Sequence, residues 1–483
     1  MKVKKLLEGI PYELIRGNVD VEIQDICYDS RKIKNGDAFV ALVGIDINGH
    51  QYISDVIKMG CKVIIACQDV EISEDVTVIK IDDTRTQLAY LSANLFKNPG
   101  NQLIKIAFTG TKGKTSSSWM LKKILEMAGK KVGVIGTLGT FIDCVLYEHK
   151  NTTPESYQVQ KFMRQMVDAG IQYLIMETSS QALKVGRIAN VFFDYGIFTN
   201  LSMDHVGPRE HSSFEDYIAS KALLFQQCKI GIFNQDDEYV QEMVQKATCL
   251  LYFFVQEGKD LKIEKFHSIH TKNFLGMEFS TTGHVQNTFR VAAPGEFSVW
   301  NATGVVMVAQ LLGIDISFIQ SGLETFQVDG RCEIFHVHDK FKIVVDFAHN
   351  KISMESILKT MKDYHPNRII TIFGCGGGRS SDRRYELGAV AGAFSDLSIV
   401  TTDNPRNDDI EEINADIIRG IQDQNGEYLV ILDREEAILY ALEHGMENDI
   451  ILLLGKGHET YQEIKGEILE FHEKDIIQNF LNR

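Results

Sequence analysis

Between Leu103 and Gly129 the chain runs from a short apolar stretch through a Gly/Lys loop into an amphipathic segment, and this succession constrains the fold more than any other part. Leu103–Thr109 reads as a buried strand, and Ser116–Ala128 carries helical periodicity that stops at Gly129. The loop between them is Thr109-Gly110-Thr111-Lys112-Gly113-Lys114-Thr115-Ser116. A strand feeding a helix through glycines is the setting of a phosphate loop. Glycines let backbone N–H groups close around phosphate oxygens, and the helix N-terminus adds its positive end. Lys114 is placed to neutralise β- and γ-phosphates, and the Thr115 hydroxyl to reach Mg²⁺. The match to G-x-x-x-x-G-K-[ST] is imperfect, because Phe108 stands where the first glycine belongs.

The surrounding pattern predicts an α/β protein. Strand-like runs recur at Lys131–Gly136, Gln172–Glu177 and Asp194–Asn200, with helical periodicity between the first pairs. Strands alternating with helices imply a parallel sheet covered on both faces. A second doubly wound unit restarts near Gly330, with apolar runs at Lys342–Phe347, Arg368–Phe373, Leu397–Thr402, Tyr428–Leu432 and Ile450–Leu454. Residues 1 to about 100 mix β-rich runs with a helix-like stretch from Thr84 to Lys97, and Asn98-Pro99-Gly100 breaks the chain. The 483 residues therefore divide into three domains, 1–100, 101–329 and 330–483. Ligands bind such sheets where strands end and loops begin, so the informative loops should follow the strands.

Composition narrows the function classes. The net charge is −16, which argues against a non-specific nucleic-acid partner and asks any anionic substrate to find a local basic pocket. The basic start MKVKK is followed by no apolar core of a signal peptide, and no apolar run reaches the length of a membrane span. The eight cysteines form no C-x-x-C pair, which fits free thiols in a reducing cytoplasm. Glu177, closing the run IQYLIM, stands where the metal-holding carboxylate of a phosphate-loop enzyme belongs, although a capping or solvated Glu would look the same.

The Thr-Gly-Thr-Lys-Gly-Lys-Thr loop is the form used by the Mur ligases. The chain resembles that family, in its MurE type, in order and over essentially its whole length. The resemblance implies an N-terminal α/β uridine-nucleotide-binding domain, a central P-loop ATPase-like parallel sheet and a C-terminal Rossmann-like doubly wound sheet. Asp29-Ser30-Arg31 is similar to the uridine-binding region, with Ser30 the uridine contact. Asn151-Thr152-Thr153-Pro154 resembles the loop that grips the muramoyl-peptide, and Ser179 in Glu177-Thr178-Ser179-Ser180, with Arg187, further substrate contacts. Asp204-His205 resembles a segment whose His binds a second Mg²⁺, and Tyr217–Lys221 the segment carrying a carbamylated lysine (N6-carboxylysine). Asn301, Arg331 and His349 match elements around the nucleotide. Arg384 follows a G-C-G-G segment, Asp403-Asn404-Pro405-Arg406 matches the signature of diaminopimelate selection, and Gly455 and Glu459 belong to G-K-G-H-E.

What the resemblance implies is ATP-dependent amide formation in peptidoglycan precursor synthesis. UDP-N-acetylmuramoyl-L-alanyl-D-glutamate (UDP-MurNAc-L-Ala-D-Glu) would be activated as an acyl phosphate, and meso-diaminopimelate would displace phosphate. Gly110, Thr111, Lys112, Gly113, Lys114, Thr115 and Ser116 would hold ATP. Two Mg²⁺ ions would be held by Thr115 and Glu177 and by His205 and modified Lys221. Arg406 would clamp the distal carboxylate of diaminopimelate bidentately, Glu459 its ammonium, and Arg384 the carboxylate beside the reacting amine. The expected state is a monomer. Gln181, Val185, Ser298, Phe347 and Gly378 stand where the family commonly carries other residues. Two alternatives stay open: the same chemistry with L-lysine or another diamino acid, and a nucleotide-binding paralogue without ligase activity.

Overall fold

The computed structural model describes residues 1–483 except 45–46, 73–74, 204–206, 208–209, 257–258, 338–339 and 483. The chain forms two compact units. The first comprises Met1–Lys262, Gly283–Val285 and Thr303–Phe318, and the second Ile263–Thr282, Gln286–Ala302 and Ile319–Arg483.

The first unit contains two sheets. The N-terminal one has the order Glu13–Arg16, Thr77–Lys80, Val63–Ala66, Ala38–Val40, Ile26–Cys27, with the first strand antiparallel and the rest parallel. Thr84–Leu95 follows it as a helix because Asp83 caps two N–H groups, those of Arg85 and Thr86. In the larger sheet the order is Leu250–Val255, Cys228–Asn234, Phe193–Phe198, Ile104–Thr109, Tyr173–Glu177, Val132–Gly136, and then two antiparallel strands, Gly139–Ile142 and Val145–Tyr147. The six leading strands are parallel. Ile104–Thr109 lies where the order reverses, with later strands to either side. Its C-terminal end is therefore the switch point at which such sheets bind ligands.

In the second unit the sheet order is Glu333–Val337, Phe341–Asp346, Ile450–Leu454, Ile369–Phe373, Leu397–Val400, Tyr428–Val430, parallel except for the first strand. Its helices Lys351–Lys362, Ser381–Phe394, Ile410–Asp423 and Arg434–Glu443 fall close to the helix-like segments of the sequence, Ser353–Asp363, Tyr385–Phe394, Ile410–Gln422 and Arg434–His444. Asp409 caps Ile410–Asp423 and Glu411 and Glu412 occupy its first turn, favourable for the helix dipole. Four loops singled out in the sequence leave this sheet from the same end, after Asp346, Phe373, Val400 and Leu454.

One buried ion pair fastens that end. Arg434, with no exposed side-chain surface, donates to Glu473 at 2.7 Å and to the carbonyl of Leu454 at 3.0 Å. Leu454 immediately precedes the Gly455–Glu459 loop. Removing one partner strands a buried charge, which costs about 3–5 kcal/mol. Arg434→Ala is expected to lower the urea midpoint accordingly. The double change Arg434→Met with Glu473→Leu should recover much of the loss, since it removes both charges. Equal midpoints for Arg434→Ala and the parent would refute the assignment.

Candidate active site

The phosphate loop is shaped by two glycines with positive φ. Gly110 has φ +154, and a Cβ there would lie 2.0 Å from Thr199 Oγ1; Gly113 has φ +83 and leads directly into the helix Lys114–Met127. The loop is fastened from the neighbouring strand end. Thr111 N–H donates to the Asn200 carbonyl, Lys112 N–H to Asn200 Oδ1, and Thr199 Oγ1 to the Lys112 carbonyl. Lys114 Nζ turns back on the loop carbonyls of Gly110, at 2.8 Å, and Thr111, at 3.2 Å. Ser116 lies in the first turn of the helix.

Glu177 is fully buried at the end of the adjacent strand. Its Oε2 accepts from Thr115 Oγ1 at 2.8 Å and from Thr137 Oγ1 at 2.9 Å, while Oε1 accepts from the Thr137 N–H at 3.1 Å. A carboxylate and two hydroxyls converging beside a phosphate loop are hard oxygen donors, the set that suits Mg²⁺. The carboxylate is thus not a solvated cap. Lys221 comes within reach of the same loop. Its Nζ, on a side chain 2% exposed, donates to the Gly110 carbonyl at 2.8 Å and sits 4.5 Å from the Tyr217 ring centre. His205 lies outside the described residues.

A cavity of about 760 Å³ joins Lys114 and Lys221 to the expected substrate loop. Lys114, Asn151, Thr152, Ser179, Arg187 and Lys221 all line it. Arg187 is oriented by Glu155, at 3.0 Å, and by the Thr153 carbonyl, at 3.1 Å. Thr153 has another task. It is fully buried, and its hydroxyl donates to the Glu177 carbonyl at 2.8 Å while accepting from the Ser179 N–H at 3.0 Å. It fastens the 151–154 loop to the end of the strand Tyr173–Glu177. Ser30 lines a separate cavity of about 370 Å³, with Phe39 and Leu42 among its walls.

The second unit holds a smaller cavity of about 110 Å³ at the strand ends. Asp403, Asn404, Arg406, Gly455 and Glu459 line it, and so does His349, which the sequence associates with the nucleotide. Arg406 stands in left-handed backbone at φ +54, pinned by its N–H on the Glu463 carbonyl and by Lys465 N–H on its own carbonyl. Its guanidinium donates to Glu463 Oε2 and to the Gly377 carbonyl, each at 3.1 Å. Glu459 Oε2 accepts from Asn404 at 2.8 Å and from fully buried Lys456 at 3.3 Å. Pro405 packs its carbonyl against Gly377, where a Cβ would sit 1.9 Å away.

Arg384 is placed differently from the expectation. Its guanidinium is held by Asp408 and lies 3.7 Å from Asp416, whereas Arg379 and Arg383 are the arginines that share the cavity with Arg406. Arg331 stacks on Phe347, 4.9 Å from the ring centre, and His349 packs edge-on against the same ring. Burial lowers the His349 pKa, so the neutral ring is favoured. Asn301 lies on the helix Glu296–Leu311 and is 7% exposed.

With this geometry in place, comparisons with known proteins decide the family. The Mur ligase family, catalytic domain, matches residues 22–97; the Mur ligase middle domain matches 108–309; and the Mur ligase, glutamate ligase domain, matches 330–457. The chain is 38% identical, over 100% of its length and 99% of the relative's, to a Clostridium perfringens protein named UDP-N-acetylmuramoyl-L-alanyl-D-glutamate–2,6-diaminopimelate ligase. The chain belongs to the Mur ligase family. A Clostridium botulinum protein of the same name is also 38% identical over the same shares. Among solved structures, one titled as a diaminopimelate ligase of this kind covers 100% of this Mur ligase and 99% of its own chain, with a TM-score of 0.75 at 25% identity.

Several residues at or beside the 760 Å³ cavity of this Mur ligase escaped the sequence. Arg85 donates to Glu155 at 3.1 Å, sharing that carboxylate with Arg187, and lines the 760 Å³ cavity. Nothing in the DTRTQ stretch announces it, since an arginine early in a helix is usually solvated. Fully buried His211 links Ser180, at 2.9 Å, to Asp216, at 3.3 Å, and Lys184 bonds the same carboxylate at 2.6 Å. The Lys184 hydrogen bond is the main reason the Asp216 pKa falls to about 2. Gln181 and Val185, two of the departures from the family pattern, also line the larger cavity.

Proposed function

We propose that this Mur ligase adds meso-diaminopimelate to UDP-MurNAc-L-Ala-D-Glu at the expense of ATP, in the cytoplasm and as a monomer. The similarity along the full length to ligases of that name carries the reading. The placement of Arg406 and Glu459 in one cavity supports it. The proposed domain division is 1–100, 101–329 and 330–483, each part holding one of the sheet-forming regions.

In the first step an oxygen of the D-Glu side-chain carboxylate attacks the γ-phosphorus, the bond to the β–γ bridging oxygen breaks, and ADP leaves. Two anions must meet, so positive charge has to be concentrated there. Lys112 and Lys114 supply it from the loop, and Mg²⁺ held by Thr115 and Glu177 supplies Lewis acidity when bound. A carbamate on Lys221, with His205, would hold a second ion. In the second step the amine attacks the acyl carbon and phosphate departs. Asn151, Thr152, Ser179 and Arg187 orient the muramoyl-peptide, Ser30 the uridine, and Asn301, Arg331 and His349 the rest of ATP. Arg406 clamps the distal carboxylate of the diamino acid and Glu459 receives its ammonium, with Asp403, Asn404, Pro405 and Gly455 shaping the wall. Arg384 acts here through Asp408 rather than by direct contact.

The test is phosphate release with UDP-MurNAc-L-Ala-D-Glu, ATP and Mg²⁺, comparing meso-diaminopimelate with L-lysine. Release with diaminopimelate alone is expected. A lysine preference would overturn the acceptor, and no turnover with either would overturn the ligase reading. Arg187→Ala is expected to raise KM for the nucleotide substrate roughly 10–100-fold, the worth of one charge-assisted hydrogen bond of about 1.5–3 kcal/mol. An unchanged KM would remove Arg187 from the substrate site.

A further inference from the structure

Arg406 lines the smaller cavity of the second unit, but the carboxylate that its Nε meets at 3.1 Å, on Glu463, stands outside the cavity wall. Glu463 belongs to the strand Tyr461–Ile464, which forms a hairpin with Glu467–Glu470. The hairpin is a sheet of its own, apart from the six-stranded one, and the ligase chemistry described above gives it no task.

The hairpin is laced to the loop that carries Arg406. Arg406 and Ile464 form a parallel bridge, closed by the Arg406 N–H on the Glu463 carbonyl at 2.9 Å and the Lys465 N–H on the Arg406 carbonyl at 2.6 Å. The Glu463 N–H donates to Asn404 Oδ1 at 3.0 Å. Gln462, 9% exposed, donates through Nε2 to the carbonyls of Thr402 and Asp403, at 3.2 and 3.3 Å. These five hydrogen bonds set where the Glu463 side chain starts relative to Arg406. An exposed ion pair alone contributes little, because two long side chains must be held in one geometry. Here the paired backbone holds both ends.

The donors of Arg406 divide accordingly. A guanidinium carries its N–H groups in a rigid planar fork. Glu463 Oε2 takes the Nε–H, and the Gly377 carbonyl takes one N–H of Nη1 at 3.1 Å. These two bonds fix the plane of the fork. Among the described residues they leave N–H groups on both Nη1 and Nη2, the edge that grips a carboxylate bidentately. The Arg406 side chain is 45% exposed, so without Glu463 it would spread over several rotamers, and a ligand would have to order it on binding.

We propose that Glu463 is a positioning residue for acceptor choice: it holds the Arg406 fork in place, so that an acceptor with a second carboxylate meets a donor pair already ordered. The proposal rests on the ligase reading and adds the residue that orients the clamp. The charge of Glu463 works against the role, since it offsets the guanidinium charge that the acceptor carboxylate seeks. The role needs a hydrogen-bond acceptor and not an anion, which separates Glu463→Gln from Glu463→Ala. Were Glu463 instead a competitor that the incoming carboxylate must displace, its removal would tighten acceptor binding.

The experiment is steady-state phosphate release by the full chain, with UDP-MurNAc-L-Ala-D-Glu, ATP and Mg²⁺ saturating and meso-diaminopimelate varied. Glu463→Ala is expected to raise KM for diaminopimelate roughly three- to tenfold, the scale of ordering one long side chain on binding. Its kcat, and its slow rate with L-lysine, should stay at the parent values. Glu463→Gln should restore the parent KM, because its amide oxygen accepts from Nε. In an Arg406→Ala background, Glu463→Ala should lower kcat/KM no further, since the two side chains act as one unit. An unchanged or lower KM in Glu463→Ala, an equal loss in Glu463→Gln, a matching loss with L-lysine, or a further loss on top of Arg406→Ala would overturn the role while the parent remains active with diaminopimelate. A parent that releases no phosphate with diaminopimelate would overturn the ligase reading, and the proposal with it.

Discussion

Arg406→Ala is expected to cut kcat/KM for meso-diaminopimelate roughly 10²–10⁴-fold. The figure corresponds to two charge-assisted hydrogen bonds of about 1.5–3 kcal/mol each to the distal carboxylate. Rates with L-lysine, slow in the parent, should change little, so the ratio between the two acceptors collapses. Arg406→Lys should recover only part of the loss, because a point charge replaces a planar fork. The backbone sharpens the test. Arg406 holds φ +54, a region costly for a residue with a Cβ. Arg406→Gly therefore relieves strain while removing the clamp, and it is expected to be at least as stable as Arg406→Ala in thermal unfolding and equally poor with diaminopimelate. Retained discrimination between diaminopimelate and lysine in either variant would refute the role.

Lys221→Ala is expected to lower kcat roughly 10²–10³-fold, the scale for removing one preorganised electrostatic group. Two roles for the side chain predict different rescues. As an amine it buttresses the loop through the Gly110 carbonyl, 2.8 Å away. As a carbamate it becomes an anion with oxygen donors suited to a hard cation. Lys221→Arg keeps a cation that can reach the carbonyl but cannot be carbamylated, so substantial activity in Lys221→Arg would support the buttress and sink the carbamate. Inactive Lys221→Arg, together with an intact-mass gain of one CO₂ on the parent under mild conditions, is the expected result. Fully active Lys221→Ala would dismiss both roles.

How much was legible depended on how local each signal was. Five strands and four helices of the 330–483 segment fell near their expected positions, because short Ile/Val/Leu runs and capped amphipathic helices declare themselves within a few residues, whereas Glu333–Val337, Tyr461–Ile464, Glu467–Glu470 and Glu473–Leu481 were not expected. Strands Leu261–Thr271 and Phe274–Gly283 went unnamed. Leu261–Thr271 mixes lysines and histidines with its apolar residues and so resembles an exposed loop, while Phe274–Gly283 shows no strict alternation and ends in a Ser-Thr-Thr-Gly stretch that reads as a turn. The helix Glu296–Leu311 also passed unnoticed, since GVVMVAQL is apolar on every side and shows no period.

At the sites, the residues fixed by short-range backbone demands were read from order alone. Gly110, Gly113 and Lys114 belong to one turn, and their spacing already specifies a phosphate-type loop and the strand end that must carry it. The loops that carry Arg406 and Glu459 leave one end of their sheet, because each follows a strand and parallel strands end on one side, while their expected role toward a diamino acid rests on the family resemblance and not on strand order. What the tertiary structure decided was partnership across long stretches of chain. Thr137 joined Thr115 on the Glu177 carboxylate, Arg85 joined Arg187 on Glu155, and Asp408 drew Arg384 away from the cavity that Arg379 and Arg383 line. A charged side chain takes whichever opposite charge folding brings within about 4 Å, and sequence order does not encode that distance.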